Sequence, residues 1–244
     1  MLLKNKLSHQ PIFAAWQQLP SPQITFSMAS LGFDWIVVDL EHTSMSIQDA
    51  ETIFIAAESL NCKPFVRLSS ADPYLARRLL DAGALGLILP VVESKNSFDE
   101  FAQHCFFPPQ GKRGLGLVRA NRWGSHLEEY FNEFKPILIA QIETKLGAES
   151  IQNILSSQFI DGIMIGPYDL SASLGSPGKF DDPFFKELCK TIREEAIRQK
   201  KMLGFHQVEP CLSKLETRIQ EGYDFIAYGT DMIALRYALQ GINR

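Results

Sequence analysis

The chain has 244 residues, 45% hydrophobic and 21% charged, and carries a net charge of −4, so it can bury about three quarters of its extended surface in one large domain. So slight an acidic balance offers no footing for nucleic acid or an anionic membrane surface. No apolar run approaches the ~20 residues that span a bilayer, and the opening MLLKNKLSHQPIF lacks the continuous apolar stretch of a secretion signal.

In chain order, the first short apolar run is PIFAAWQ (11–17), followed by helical periodicity near 21–31. The second, 34–41, leads into a helical segment at 46–60, and the third, KPFVRL (63–68), into one at 72–82. Strands are expected at 86–92 and 136–143, with helices near 95–106 and 145–157. Strands at 160–166, 202–208 and 224–229 precede helices at 182–200, 210–221 and 231–240. The spacing of Leu75, Leu79 and Leu80 supports helix; Ser46 and Asp72 occupy N-cap positions, and Pro73 suits a first helical residue. Eight strand–helix repeats imply a parallel sheet, and eight in about 250 residues is the size of a closed (β/α)8 TIM barrel. The expectation is one domain over 1–244; a doubly wound open sheet is the runner-up, weakened by the lack of a GxGxxG after the first strand.

Four cysteines, Cys62, Cys105, Cys189 and Cys211, are far apart and form no CxxC pair, which argues for reduced thiols in a cytoplasmic protein rather than a zinc knuckle or disulfide framework. The longest irregular stretch, 107–125, is read as following the fourth strand and carries Lys112, Arg113, Arg119 and Arg122. A loop of that length is usually functional or disordered; its arginines either meet a distal anionic group of a ligand or fix the loop and subunit contacts. Its glycines do not match a P-loop.

Active sites of (β/α)8 barrels lie at the C-terminal strand ends. Strand two, WIVVDLEH, passes from an apolar run into Asp39, Glu41 and His42 without a turn residue, and buried charge is costly unless paired or metal-bound. Strand three ends in Arg67, strand five in Gln141 and Glu143, and strand seven in His206; Asp169 follows strand six in GPYDLS. By alternation, Asp39 shares a face with Glu41, and Gln141 with Glu143. Glu143 and Asp169 are carboxylates from neighbouring strands with no obvious cation between them, a donor set suited to Mg²⁺ or Mn²⁺. Such an ion leaves sites open for the carboxylate and keto oxygens of a 2-oxo acid. His9, His104 and His126 need no special account. Among lysines that could form a Schiff base, Lys63 opens a strand, Lys112 lies in the loop and Lys145 follows QIET at a helix start, so covalent catalysis is disfavoured.

At these residues the sequence resembles the HpcH/HpaI family of class II pyruvate aldolases. The segments GFDWIVVDLEH, PFVRLSSADP, LLDAGALGLILPVV, FPPQGKRGLG, RANRWG, QIET and IDGIMIGPYDLSASLG carry the resemblance along nearly the whole chain. It implies a (β/α)8 barrel and a divalent cofactor (Mg²⁺, Mn²⁺ or Co²⁺) on Glu143 and Asp169. It makes His42 the base acting through a metal-bound water, Arg67 the contact to the keto oxygen, and Gln141 a neighbour of metal and oxo acid. The backbone of Gly166, Pro167 and Tyr168 would hold the pyruvate carboxylate. Asp39 and Asp81 are candidates for orienting His42, the second from a neighbouring subunit in relatives. A homo-oligomer is implied, a hexamer with an exchanged C-terminal helix at 231–240. Two positions depart from relatives: Tyr168, where a small residue or Asn is common, and His206, where an apolar residue is common. His206 is either a core histidine or a hydrogen-bond donor to a polyhydroxylated or acidic aldehyde.

The implied reaction is reversible cleavage of a 4-hydroxy-2-oxo acid to pyruvate and an aldehyde, with charge on the C2 oxygen stabilised electrostatically. The alternatives are a barrel lyase or transferase acting on phosphoenolpyruvate or an acyl-CoA, and a non-catalytic 2-oxo acid binding protein.

Overall fold

The computed structural model describes residues 11–241; His9 and most of the N-terminal stretch read for a secretion signal lie outside it. Eight strands, Ile12–Gln17 (β1), Trp35–Asp39 (β2), Lys63–Arg67 (β3), Gly86–Leu89 (β4), Ile137–Ile142 (β5), Gly162–Ile165 (β6), Met202–Gln207 (β7) and Phe225–Thr230 (β8), follow one another in chain order. Each pairs in parallel with the next, and β8 closes on β1. The barrel is therefore closed, and the open-sheet alternative is overturned.

Strand alternation divides the core in two. Outward-facing side chains such as Ile36, Val66, Leu138 and Ile163 pack under the helices in one large cluster. Inward-facing Trp35, Phe65, Ile139, Met164 and Phe225 fill the barrel in a second. The Trp35 and Phe65 rings stack at 4.0 Å. Room for the aromatic filling comes from Gly204, where a Cβ would lie 2.0 Å from the Phe225 ring.

The helices start where caps were legible. Ser46 accepts from the Asp49 N–H in a capping box, and Asp72 accepts from Tyr74. Pro73 opens the helix Pro73–Asp81. The expected 145–157 helix is two short ones, Lys145–Glu149 and Ile151–Leu155, broken at Ser150. Two more helices, Leu127–Glu133 and Pro167–Ser173, were not expected. The 107–125 stretch is also corrected. It follows not β4 directly but the helix Lys95–Ala102, which returns the chain to the N-terminal end of the barrel, opposite the strand ends that form the mouth. There Arg113 lies 2.7 Å from Asp81 and 2.9 Å from the Tyr130 hydroxyl, Arg119 donates to the Ala82 carbonyl and pairs with Glu58, and Arg122 meets His126. Among the described residues, no helix is long and apolar enough to cross a membrane.

Candidate active site

At the lower levels of the barrel the inward positions are apolar; at the mouth they become Trp16, Asp39, Arg67, Gln141 and His206, all buried. The centre of this layer is an ion-pair fork. Arg67 Nε and Nη2 donate to the two oxygens of Asp39 at 3.0 and 2.7 Å, and Nη1 lies 2.9 Å from Glu41 Oε2. The β2–β3 register sets Asp39 directly beside Arg67, so the fork follows from strand pairing. Burial alone would raise the Asp39 carboxyl, but the Arg67 guanidinium holds it down at about 2. Arg67 also lies 5.0 Å from the centre of the Trp16 ring, whose other neighbour, His206, stacks at 4.1 Å.

His42 lies beyond the end of β2 with its side chain 58% exposed. Its backbone N–H donates to Asp39 Oδ1, but its ring Nε2 lies 3.8 Å from Glu41. Within one chain the carboxylate beside the ring is thus that of Glu41, while Asp39 is committed to Arg67. Asp81 ends a helix that runs away from the mouth, and pairs there with Arg113. One chain alone does not bring Asp81 to His42.

Opposite the fork, Gln141 donates to Glu143 Oε2, and the Val91 N–H donates to Oε1 at 2.6 Å. Val91 holds that N–H in place with φ of 53°, a left-handed conformation rare for a β-branched residue. Gly166 completes the cradle: a Cβ there would lie 2.9 Å from Glu143 Oε2 and 3.2 Å from Gln141 Nε2. Next comes the helix Pro167–Ser173, with Asp169 in its first turn. Its signals, proline at the first position and an acid in the first turn, were present in the sequence.

Burial first, then the charges of Glu41 and Asp169, push the Glu143 carboxyl up to about 7. Glu41 is raised as well, by burial and by Asp39 and Asp169, against the pull of Arg67. Carboxylates that raise one another across a cleft fit a divalent cation, whose charge would reverse the effect. Gln141 Oε1 is buried without a partner in the same place. No group of three or more His, Cys, Asp or Glu among the described residues is arranged to enclose an ion. Glu143 and Asp169 are close enough for the charge of Asp169 to raise the Glu143 carboxyl.

Tyr168 reaches across to the segment after β7, where its hydroxyl donates to Glu209; its ring meets Phe180 edge-on at 5.0 Å. Lys145 is half exposed and pairs with Glu149, and Lys63 begins β3 at the far end of the barrel. Trp16 and the Val91 N–H were not singled out from sequence as site groups, and Glu41 was named at the mouth but given no role. Glu41 was visible in the strand-two ending, whereas Trp16 and Val91 are joined to the site only by folding.

Residues 13–238 match the family described as HpcH/HpaI aldolase/citrate lyase. The chain is 30% identical over 227 residues to a 5-keto-4-deoxy-D-glucarate aldolase of Escherichia coli, covering 92% of this chain and 88% of that one. Among solved structures it resembles an HpcH/HpaI aldolase from Desulfitobacterium hafniense DCB-2, with a TM-score of 0.88, 27% identity and 99% coverage of both chains. It also resembles an HpcH/HpaI aldolase/citrate lyase family protein from Burkholderia cenocepacia J2315, with a TM-score of 0.89, 26% identity, and 96% and 95% of the two chains covered.

Proposed function

The chain belongs to the HpcH/HpaI aldolase/citrate lyase family, and from that premise we propose that it is a metal-dependent pyruvate aldolase. The reaction is reversible cleavage of a 4-hydroxy-2-oxo acid into pyruvate and an aldehyde. The observation that carries this reading is the buried Arg67, held by Asp39 and Glu41 across the mouth from the Glu143–Asp169 pair. A 2-oxo acid between them meets a guanidinium on one side and a cation site on the other.

Glu143 and Asp169 would hold the divalent ion, Mg²⁺, Mn²⁺ or Co²⁺, which when bound supplies Lewis-acid stabilisation of charge on the C2 oxygen. Arg67 donates to that oxygen as it gains charge. Its side chain is already fixed by two carboxylates, so little reorganisation is needed as the charge develops. The backbone of Gly166, Pro167 and Tyr168 takes the carboxylate end, and Gln141 lines the keto side. His42, exposed at the rim beside Glu41, accepts the C4 hydroxyl proton as the C3–C4 bond breaks, a contribution of about 10²–10⁴-fold. The electrons of that bond pass to the enolate of pyruvate, which is then protonated at C3.

The test needs no knowledge of the aldehyde. The chain is incubated with pyruvate in D₂O plus Mn²⁺ or Mg²⁺, and loss of the methyl proton signal is followed. Exchange is expected with metal, and its loss is expected after chelation and in Glu143→Ala, Asp169→Ala and Arg67→Ala. Exchange that survives chelation, or that is absent under every metal, sinks the proposal.

A further inference from the structure

Resting on that aldolase reading, we propose that Asp231 and Gln18 are positioning residues for Arg67. Asp231 fixes the end of β1, and from there the Gln18 side chain holds the Asp39 carboxylate that aims the guanidinium. β1 and β8 pair as far as Trp16 and Thr230. Beyond that pair β8 turns into the last helix, Asp231–Leu239, and offers β1 no further strand. The Asp231 carboxylate takes the strand's place. It accepts the Gln18 N–H at 3.0 Å to each oxygen and the Leu19 N–H at 2.9 Å. The helix start does not require these bonds, since the Thr230 side chain already accepts from the Ile233 N–H. A third N–H on the carboxylate, that of Met232, belongs to the helix itself.

Gln18, fixed in this way, reaches the site. Its Nε2 lies 3.3 Å from Asp39 Oδ2, the oxygen that accepts Arg67 Nη2 at 2.7 Å. The other oxygen, Oδ1, accepts from Arg67 Nε and from the backbone N–H groups of Glu41 and His42. Each oxygen of Asp39 therefore has a partner besides Arg67, and the plane of the carboxylate is set independently of the guanidinium it grips. An arginine and a carboxylate held only by each other can swing as a pair. Stabilising charge on the C2 oxygen needs a donor that is fixed before the charge appears. Asp39 is fully buried, so water does not stand in for the Gln18 amide. The path from Asp231 through Gln18 and Asp39 to Arg67 thus makes the first residue of the last helix part of the catalytic layer.

The test follows pyruvate deuterium exchange with Mn²⁺, read as kcat and KM separately, in the unaltered protein, Gln18→Ala, Asp231→Ala and the double variant. Calorimetry adds the binding of pyruvate and of oxalate, a planar dianion shaped like the pyruvate enolate. In Gln18→Ala, kcat is expected to fall about 10-fold with KM within about twofold, because aim is lost in the transition state and not in ground-state binding. Oxalate should weaken by a similar factor relative to pyruvate. Asp231→Ala should fall at least as far, and the double variant no further than Asp231→Ala, since both act on one path. A kcat in Gln18→Ala within about twofold of the unaltered protein, a rise in KM alone, or losses that multiply in the double variant each overturns the assignment. If Asp231→Ala does not fold, Gln18→Ala still decides it. An unaltered protein that binds pyruvate without exchanging it removes the aldolase reading, and the ratio of oxalate to pyruvate affinity in Gln18→Ala then decides the positioning by itself. Binding of neither ligand removes both.

Discussion

Arg67 is 4% exposed and Asp39 is fully buried, so each depends on the other for its charge. Replacing Arg67 with Ala leaves Asp39 unpaired in the core, and such a deletion costs about 3–5 kcal/mol. Urea unfolding of Arg67→Ala should show that loss alongside the loss of exchange; stability within 1 kcal/mol of the parent, on the order of an ordinary surface change, would mean water reaches Asp39. His206 yields the opposite kind of signature. Its folded pKa lies far below the value of 6.5 that it recovers on unfolding, so the unfolded chain binds the extra proton. The stability that neutral His206 contributes is complete above pH 6.5 and is lost as pH falls toward 3. In His206→Leu, stability against pH over that window should be flatter by up to one proton than in the parent, measured by urea midpoints. Equal slopes would mean the ring titrates normally.

In the turn after β4 a single hydrogen bond overrides local backbone preference. Val91 is half exposed, so packing does not explain its left-handed backbone, whereas its N–H on Glu143 does. Val91→Gly keeps that N–H and removes the side-chain strain, and should raise stability by about 1 kcal/mol with metal-dependent exchange retained. A fall in thermal midpoint would mean the valine contributes contacts the turn needs. The same scale shows what periodicity could and could not find. Long amphipathic segments such as Pro183–Gln199 were clear from spacing. Leu127–Glu133 buries no residue, so no apolar stripe marked it. The role of the 107–125 arginines stayed open in the sequence because chain order does not show which end of the barrel a connection lies on.

For the whole molecule, the helix Asp231–Leu239 buries none of its residues and leaves Met232, Leu235, Tyr237 and Leu239 exposed. Such a face on the last helix of a barrel fits the expected homo-oligomer. Light scattering should then return a multiple of 27.5 kDa, reduced by Leu235→Glu with Tyr237→Glu; a monomer at micromolar concentration would rule it out. The sequence by itself determined the eight-fold alternation, the caps, and the polar residues at strand ends, because strand and helix periods and cap chemistry are local properties of the chain. Only the tertiary structure decided that Arg67 is shared by Asp39 and Glu41, that Glu41 rather than Asp39 lies beside the His42 ring, that Asp81 points to the other end, and that His206 stacks on Trp16. Those outcomes depend on register, barrel closure and burial, which bring residues up to about 190 positions apart into contact and are written in no single segment.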